Sequence, residues 1–438
     1  MLQCNIRKRK RRVKERKDPK QSQWYKDYVL DGNQEYCDPS HRNYKTFTNR
    51  FVVDQPGIME ICNSIRDLPE DKQFYTDKVN KTTPLVLLVL GVLRVLARNW
   101  TFDCVSEATN VSQEVHRVFF PKFVKWFARD VAPLCIYMPD PTDSNAIKIN
   151  GLEYEAAGFP LCLGSIDCVH IRQWLCSRNL KQYATGKEKY PSRVYEAIVN
   201  HRKLFLQVTR GFMGSTTDKT IVRFDRVATG LRDGDYANHT AELFDKDGNI
   251  HNMNGCYVIN DNGYHKWSTM MEPSKHATSH EEIEWSEMLE SLRKDVECAF
   301  GILKAMFAIL KYGARVTQME TMDDIFITCC SIYNQRMRQL GKDEAWENVL
   351  NRTNDDSAEE VGFFNRMIAM HADVPEADVG LPEDVDVAQE HVEIGPMHDS
   401  RKTMLINHFS YCAKHKMIKW PRQNQEWHTY NPKKRQLI

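Results

Sequence analysis

No stretch of this 438-residue chain is both long and apolar enough to cross a bilayer. The longest apolar run, Pro84–Ala97, is broken by Arg94 and falls short of the roughly 20 residues a spanning helix needs. It reads instead as a buried helix, and no membrane partner is expected. The opening, Met1–Lys17, is basic with no apolar stretch behind it, which argues against a secretory leader. The 13 cysteines contain no paired C-x-x-C, so a structural zinc site is not expected, even though Cys162, Cys168, His170 and Cys176 lie close in sequence. Their odd number suggests reduced thiols. Gly186-Lys187 lacks the upstream glycine spacing of a phosphate-binding loop, which argues against nucleotide hydrolysis. Internal repeats are absent. The net charge is only +1, so the chain as a whole is not a polycation.

What is there is uneven. Hydrophobic residues make up 42% and charged residues 27%, enough for a soluble protein of two or three domains. Arg7-Lys8-Arg9-Lys10-Arg11-Arg12, continued by Lys14, Arg16 and Lys17, forms a basic tail over 1–22. It cannot fold alone and suits nuclear import and phosphate contact. Residues 352–399 read as an acidic linker, and 400–438 as a small C-terminal segment.

Over 48–135 the pattern is helical. Leu85–Ala97 is apolar nearly all round and so central to its domain. Thr101–Ala108 gives a short helix, Asn110-Val111 a turn, and Ser112 caps a third helix. That outline fits a helix-turn-helix, and equally an ordinary helical bundle. Met138–Ser144 reads as a linker. Beyond it strands are predicted at Leu161–Ile166, Arg193–Asn200, Leu204–Thr209 and Cys256–Ile259, the middle two as a hairpin. Helices are predicted at Asp218–Gly230, Glu281–Leu310 and Asp323–Leu340. In the long helix, Trp285, Leu289, Leu292, Val296, Phe300, Leu303 and Phe307 share one stripe. Strands covered by helices define an α/β domain over 155–340.

Three carboxylates stand out. Asp167 follows the first predicted strand, Asp261 follows the strand ending at Ile259, and Glu297 sits in the long helix. Strand-end residues in an α/β sheet gather at one edge, and a helix laid across it can add one more acid. Magnesium prefers oxygen ligands, and two such ions about 4 Å apart can assist phosphodiester cleavage. Each residue also has a plain alternative. Asp167 can end a strand, Asp261 suits a turn, and Glu297 can pair with Arg293 on the helix surface. Spacing alone leaves both readings open.

A family resemblance bears on that choice. Gly158-Phe159-Pro160 and Gly164-Ser165-Ile166-Asp167-Cys168-Val169-His170 resemble the first catalytic block of the PIF/Harbinger transposases, especially the plant type. Gly214-Ser215-Thr216-Thr217-Asp218 is similar to that family's G-S-x-N-D element. Tyr257-Val258-Ile259-Asn260-Asp261-Asn262-Gly263-Tyr264 resembles its second-aspartate block, and Val296-Glu297-Cys298-Ala299-Phe300-Gly301 its glutamate block. The similarity runs from about residue 48 to 340.

The resemblance implies an RNase H-like core preceded by a helix-turn-helix-like domain. It implies a metal-dependent DNA endonuclease with strand-transfer activity. Asp167, Asp261 and Glu297 would hold Mg2+ or Mn2+, as two ions. Its partners would be double-stranded DNA, a Myb-like DNA-binding protein and further copies of itself, and its place the nucleus. Candidate DNA contacts are Arg293, Lys304, Lys187, Lys189 and Arg117. Lys181, Lys187, Lys189 and Arg193 around Tyr183 and Tyr190 also suit a DNA-facing surface. The chain departs from the family pattern at Cys298, where arginine is usual, at Thr217 (asparagine) and at His265 (proline). The alternative expectation is a domesticated, non-cutting DNA-binding or scaffold protein.

Overall fold

The computed structural model describes residues 17–30, 34–76, 83–343, 394–421 and 427–429. Most of the basic tail and the acidic stretch as far as residue 393 lie outside the described residues. The chain divides into two compact units, one of Met1–Val95 with Trp100–Phe120, the other of Leu96–Asn99 with Pro121–Ile438.

The first unit is helical. Helices α1 (Gln23–Tyr28), α2 (Arg42–Phe51) and α3 (Gln55–Arg66) are capped by Ser22, His41 and Asp54. Trp24, Tyr28, Phe47 and Phe51 pack with ring centroids 4.8–5.4 Å apart, mostly edge to face, the arrangement the ring quadrupole favours. Helix α4 (Leu85–Arg98) is buried almost all round. Helix α5 (Phe102–Thr109) is capped by Thr101 and ends at Asn110, whose φ of 55° turns the chain into α6 (Gln113–Trp126). The Thr109 hydroxyl meets His116 Nε2 at 2.9 Å across that corner. A Cβ at Gly91 would stand 2.7 Å from His116 Nδ1, so only glycine lets α4 approach this closely. Burial pushes His116 down to about 4, leaving the ring a neutral hydrogen-bonding spacer.

The second unit is mixed α/β. It contains α7 (Ala132–Cys135), α8 (Ser144–Ala156), α9 (Lys181–Ala184), α10 (Asp218–Ile221), α11 (Arg226–Asp233), α12 (His280–Met306), α13 (Ala308–Tyr312), α14 (Met319–Gln339) and α15 (Ile394–Lys414). Its strands are β1 (Cys162–Arg172), β2 (Ser192–Val199), β3 (Phe205–Val208), β4 (Phe212–Met213), β5 (Thr240–Phe244), β6 (Ile250–Asn254), β7 (Tyr257–Ile259), β8 (Met270–Met271), β9 (Lys419–Pro421) and β10 (Trp427–Thr429). The main sheet runs β3-β2-β1-β7-β8, with β4 also on β2. Strands β1, β2 and β3 pair antiparallel, whereas β7 lies parallel to β1 and β8 parallel to β7.

Alternation along the strands sends side chains to both faces. Tyr257 and Ile259 join Phe159, Trp285, Leu289 and Leu292 in one core. Val258 joins Leu163, Ile166, Ile198, Trp267 and Met270 in the other. The stripe of α12 is buried from Trp285 to Leu303 as its period requires. The C-terminal helix α15 completes the first core with Leu405 and Phe409. It is tied down by His398 Nε2, 2.9 Å from Glu272 Oε2, and by Lys402 Nζ, 3.3 Å from Glu272 Oε1.

Several expectations need correction. Strand β1 extends to Arg172, so Asp167 sits in mid-strand rather than at its end. The Met138–Ser144 linker leads directly into α8, which carries no helical signal because part of its buried face is polar. Asn150 donates to Leu163 O at 2.8 Å, and Glu153 pairs with Arg202 at 2.8 Å. Asp218–Gly230 is two helices, because Asp225 turns its carboxylate to the amides of Val227 and Ala228 and caps α11. The long helix stops at Met306 and restarts as α13. Residues 394–399, assigned to the acidic linker, are the first turns of α15.

Candidate active site

The register of β1 and β7 positions two aspartates. Ser165 pairs with Ile259, and Asp167 and Asp261 each lie two residues beyond that pair. Neighbouring strands are about 4.8 Å apart, so the two carboxylates come close enough for Asp261 to act on Asp167. Asp167 Oδ1 accepts from the Cys168 amide at 2.7 Å, and Asp261 Oδ1 from the Gly263 amide at 2.7 Å. The second oxygen of Asp167 faces Arg293 Nη1 at 3.8 Å.

Asp167 is pushed up to about 6, first by burial and then by Asp261 and Asp218, against the opposing pull of the Cys168 amide and Arg293. Mutual repulsion of this kind is what a bound cation relieves.

Helix α12 lies against β1 and supplies Arg293 and Glu297. Arg293 Nη1 is 2.8 Å from Glu297 Oε1 and 3.8 Å from Asp167 Oδ2. The surface pairing considered for Glu297 is therefore present, and the same arginine reaches Asp167. The arginine bridges the helix acid to the strand acid. It thus serves as an internal counter-ion in this arrangement, rather than as a cation held out for DNA.

Asp218, at the start of α10, is an acid that sequence reasoning missed as a site residue. It had been noted only as the end of a G-S-x-N-D-like element. A Cβ built on Gly263 would lie 3.4 Å from Asp218 Oδ2 and 2.8 Å from Asp261 Oδ1, so the glycine leaves a cradle between two carboxylates. Behind the acids, Glu196 stands opposite Cys168 in the β1–β2 register. Cys168 Sγ lies 3.7 Å from Glu196 Oε2 and 3.4 Å from the Tyr264 hydroxyl. Burial first, and then Asp225, holds Glu196 well above the usual carboxylate range. The floor of the site is therefore polar, with a carboxyl that resists ionisation.

The donor set is, in type though not in present spacing, that of a hard divalent ion. It is made of carboxylates alone, close enough to repel, with the Gly263 cradle between two of them. Among the described residues, no three such side chains already converge at ligand distance. Glu297 would have to exchange Arg293 for the ion.

The remaining sequence candidates are placed as follows. Lys304 Nζ reaches the carbonyl of His170 at 3.4 Å, and His170 Nδ1 is 3.1 Å from Ser192 Oγ. Lys187 and Lys189 are exposed. Arg117, in the helical unit, is exposed and paired with Glu114 at 2.6 Å. Cys298 is exposed beside Glu297.

The sheet and acids thus define an α/β protein with a carboxylate cluster at the centre of a mixed sheet. Residues 135–343, which hold all four acids, match the model of a family described as plant transposon protein. This links the matched part of the chain to transposon-derived proteins. No curated protein and no solved structure matches the chain.

Proposed function

We propose that this protein is a transposase-type DNA endonuclease of PIF/Harbinger character, acting in the nucleus on double-stranded DNA. The observation that carries the proposal is the parallel register placing Asp167 beside Asp261, with Glu297 brought to Asp167 by Arg293. The match to a plant transposon family supports it. So does the sheet, because three antiparallel strands followed by two parallel ones on the other side of β1 is the arrangement expected of an RNase H-like core. The corner between α5 and α6 supports a helix-turn-helix-like role in DNA contact for the first unit.

Asp167, Asp261 and Glu297 would hold Mg2+ or Mn2+. A bound pair supplies stabilisation of the attacking and leaving oxygens and eases loss of a proton from water. The chain's own contribution is positioning. Asp167 and Asp261 are fixed by backbone amides, and burial disfavours charge on Glu196 and Tyr264 beneath them. Arg293 is released from Glu297 when the acids are otherwise neutralised, and can then turn to a phosphate. A freed 3′-hydroxyl would use the same site for strand transfer. Two DNA ends would need more than one copy of the chain, with a Myb-like protein assisting end recognition.

The test is magnesium-dependent cleavage of supercoiled DNA carrying the element's own ends, with wild type beside Glu297→Gln. Cutting by wild type alone, with the variant at least 100-fold slower by analogy with the loss of electrostatic stabilisation elsewhere, is the expected result. Equal cutting by both would remove Glu297 from the site. DNA binding without cutting by either would favour a domesticated binding protein.

A further inference from the structure

Strand β1 and helix α12 both continue past the acids into a surface of different chemistry. Trp174 lies seven residues beyond Asp167, and Lys304 seven beyond Glu297. The two elements are pinned together there by the Lys304–His170 contact.

Trp174 is 50% exposed, yet it is rigidly held. Its indole Nε1 donates to Tyr312 O at 2.7 Å, and its amide donates to Ala314 O at 3.1 Å. A Cβ at Gly313 would stand 3.0 Å from that indole nitrogen. The guanidinium of Arg172 lies 3.5 Å from the ring centroid of Trp174 and 5.0 Å from that of Tyr190. Tyr312 itself is 58% exposed.

A large aromatic fixed in place at the surface forgoes the burial that normally stabilises it. Its surroundings are strongly cationic. Residues 172–190 carry Arg172, Arg178, Lys181, Lys187 and Lys189 against the single acid Glu188, and residues 304–315 carry Lys304, Lys311 and Arg315 with no acid. Rigid aromatic faces among lysines and arginines suit unpaired nucleotides, whose bases stack while the cations follow the phosphates. A closed duplex offers no base face to Trp174.

We infer that Trp174, backed by Arg172 and flanked by Tyr190 and Tyr312, is a stacking platform for unpaired bases of a DNA strand led past the acid cluster. The inference rests on the DNA-processing role proposed above and gives its substrate a local form. The DNA is engaged with bases exposed next to the site of cutting.

Binding of a short fluorescein-labelled oligothymidylate to the full chain, followed by anisotropy in EDTA, tests this without any cleavage. Trp174→Ala should bind the single strand at least tenfold more weakly, and Trp174→Phe should stay within about threefold of wild type. Duplex binding of both should remain within about twofold. Lys187→Ala with Lys189→Ala should weaken single-strand and duplex binding together, as phosphate contacts do. Circular dichroism unchanged from wild type would show that the exposed position has not unfolded the chain. Single-strand binding by Trp174→Ala equal to wild type overturns the platform. That result alongside loss of cutting in Glu297→Gln would leave the nuclease standing without it. Loss of single-strand binding in Trp174→Ala, in a protein that never cuts, would keep the platform and remove the nuclease.

Discussion

Asp167 gives the fold a pH dependence of its own. Burial and its acidic neighbours raise it to about 6 in the fold, above its value of about 3.9 in an unfolded chain. A carboxyl raised on folding favours the folded state while protonated. Its contribution is therefore full below about pH 4 and is lost as pH climbs through 6. Removing the charge should relieve this at neutral pH. Asp167→Asn is expected to gain about 1–3 kcal/mol over wild type at pH 7.5 and little at pH 4, measured by urea unfolding without divalent ions. If the proposed site holds magnesium, the ion should raise the melting temperature of the wild type, an effect that the same substitution should abolish and that should fade in wild type as pH drops through 6. A variant equally unstable at both pH values would contradict the electrostatic account of this site. Gly263 offers a second test. Gly263→Ala inserts a methyl 2.8 Å from Asp261 Oδ1. It should weaken magnesium stabilisation about tenfold in apparent affinity while leaving the melting temperature in EDTA within a few degrees of wild type.

Individual elements depend on close contacts that composition does not reveal. Glycine is required at 164 because a Cβ there would meet Val199 O at 2.6 Å, in the strand paired with β1. Gly164→Ala is expected to cost about 1–3 kcal/mol or more by overpacking, read as a fall in the urea midpoint. Glu153→Ala should cost about 3–5 kcal/mol, because it strands the buried Arg202 guanidinium in α8's packing against the hairpin. A loss under 1 kcal/mol would mean that water reaches the arginine.

These elements also mark how far the sequence could be read. The α12 stripe was legible because apolar residues recur every three or four positions, and the β2–β3 hairpin because His201-Arg202-Lys203 separates two apolar runs. Helix α8 was not, since ion pairing and amide hydrogen bonds, rather than apolar periodicity, bury much of its inner face. The β5–β6 hairpin was missed because only Leu243 and Met253 of its residues are fully buried. Asp167, Asp261 and Glu297 are singled out by the motif resemblance and not by spacing. Asp218 leaves no periodic trace in the sequence, because its nearness to Asp167 is made by the tertiary fold.

At the scale of the molecule, α15 shows that the sheet unit is not closed by the segment matching the transposon family. A chain ending at residue 393 would uncover Phe159 and Trp285 and leave Glu272 without His398 and Lys402. It should unfold at a clearly lower urea concentration or aggregate, checked by gel filtration and denaturant titration. A truncated chain as stable as the full one would assign α15 no part in the core.

The shared course of β1 and α12 has a consequence for the order of events. Asp167 and Glu297 stand within the pair with Arg293 between them, whereas the segments 172–190 and 304–315 that follow carry eight cations and one acid. A polyanion approaching this surface is attracted first by the segments around Trp174 and repelled by the acids around Asp167. Entry at the acids then needs an accompanying positive charge. Association should thus proceed in two kinetic phases, a fast salt-sensitive capture and a slower step whose rate rises with divalent cation.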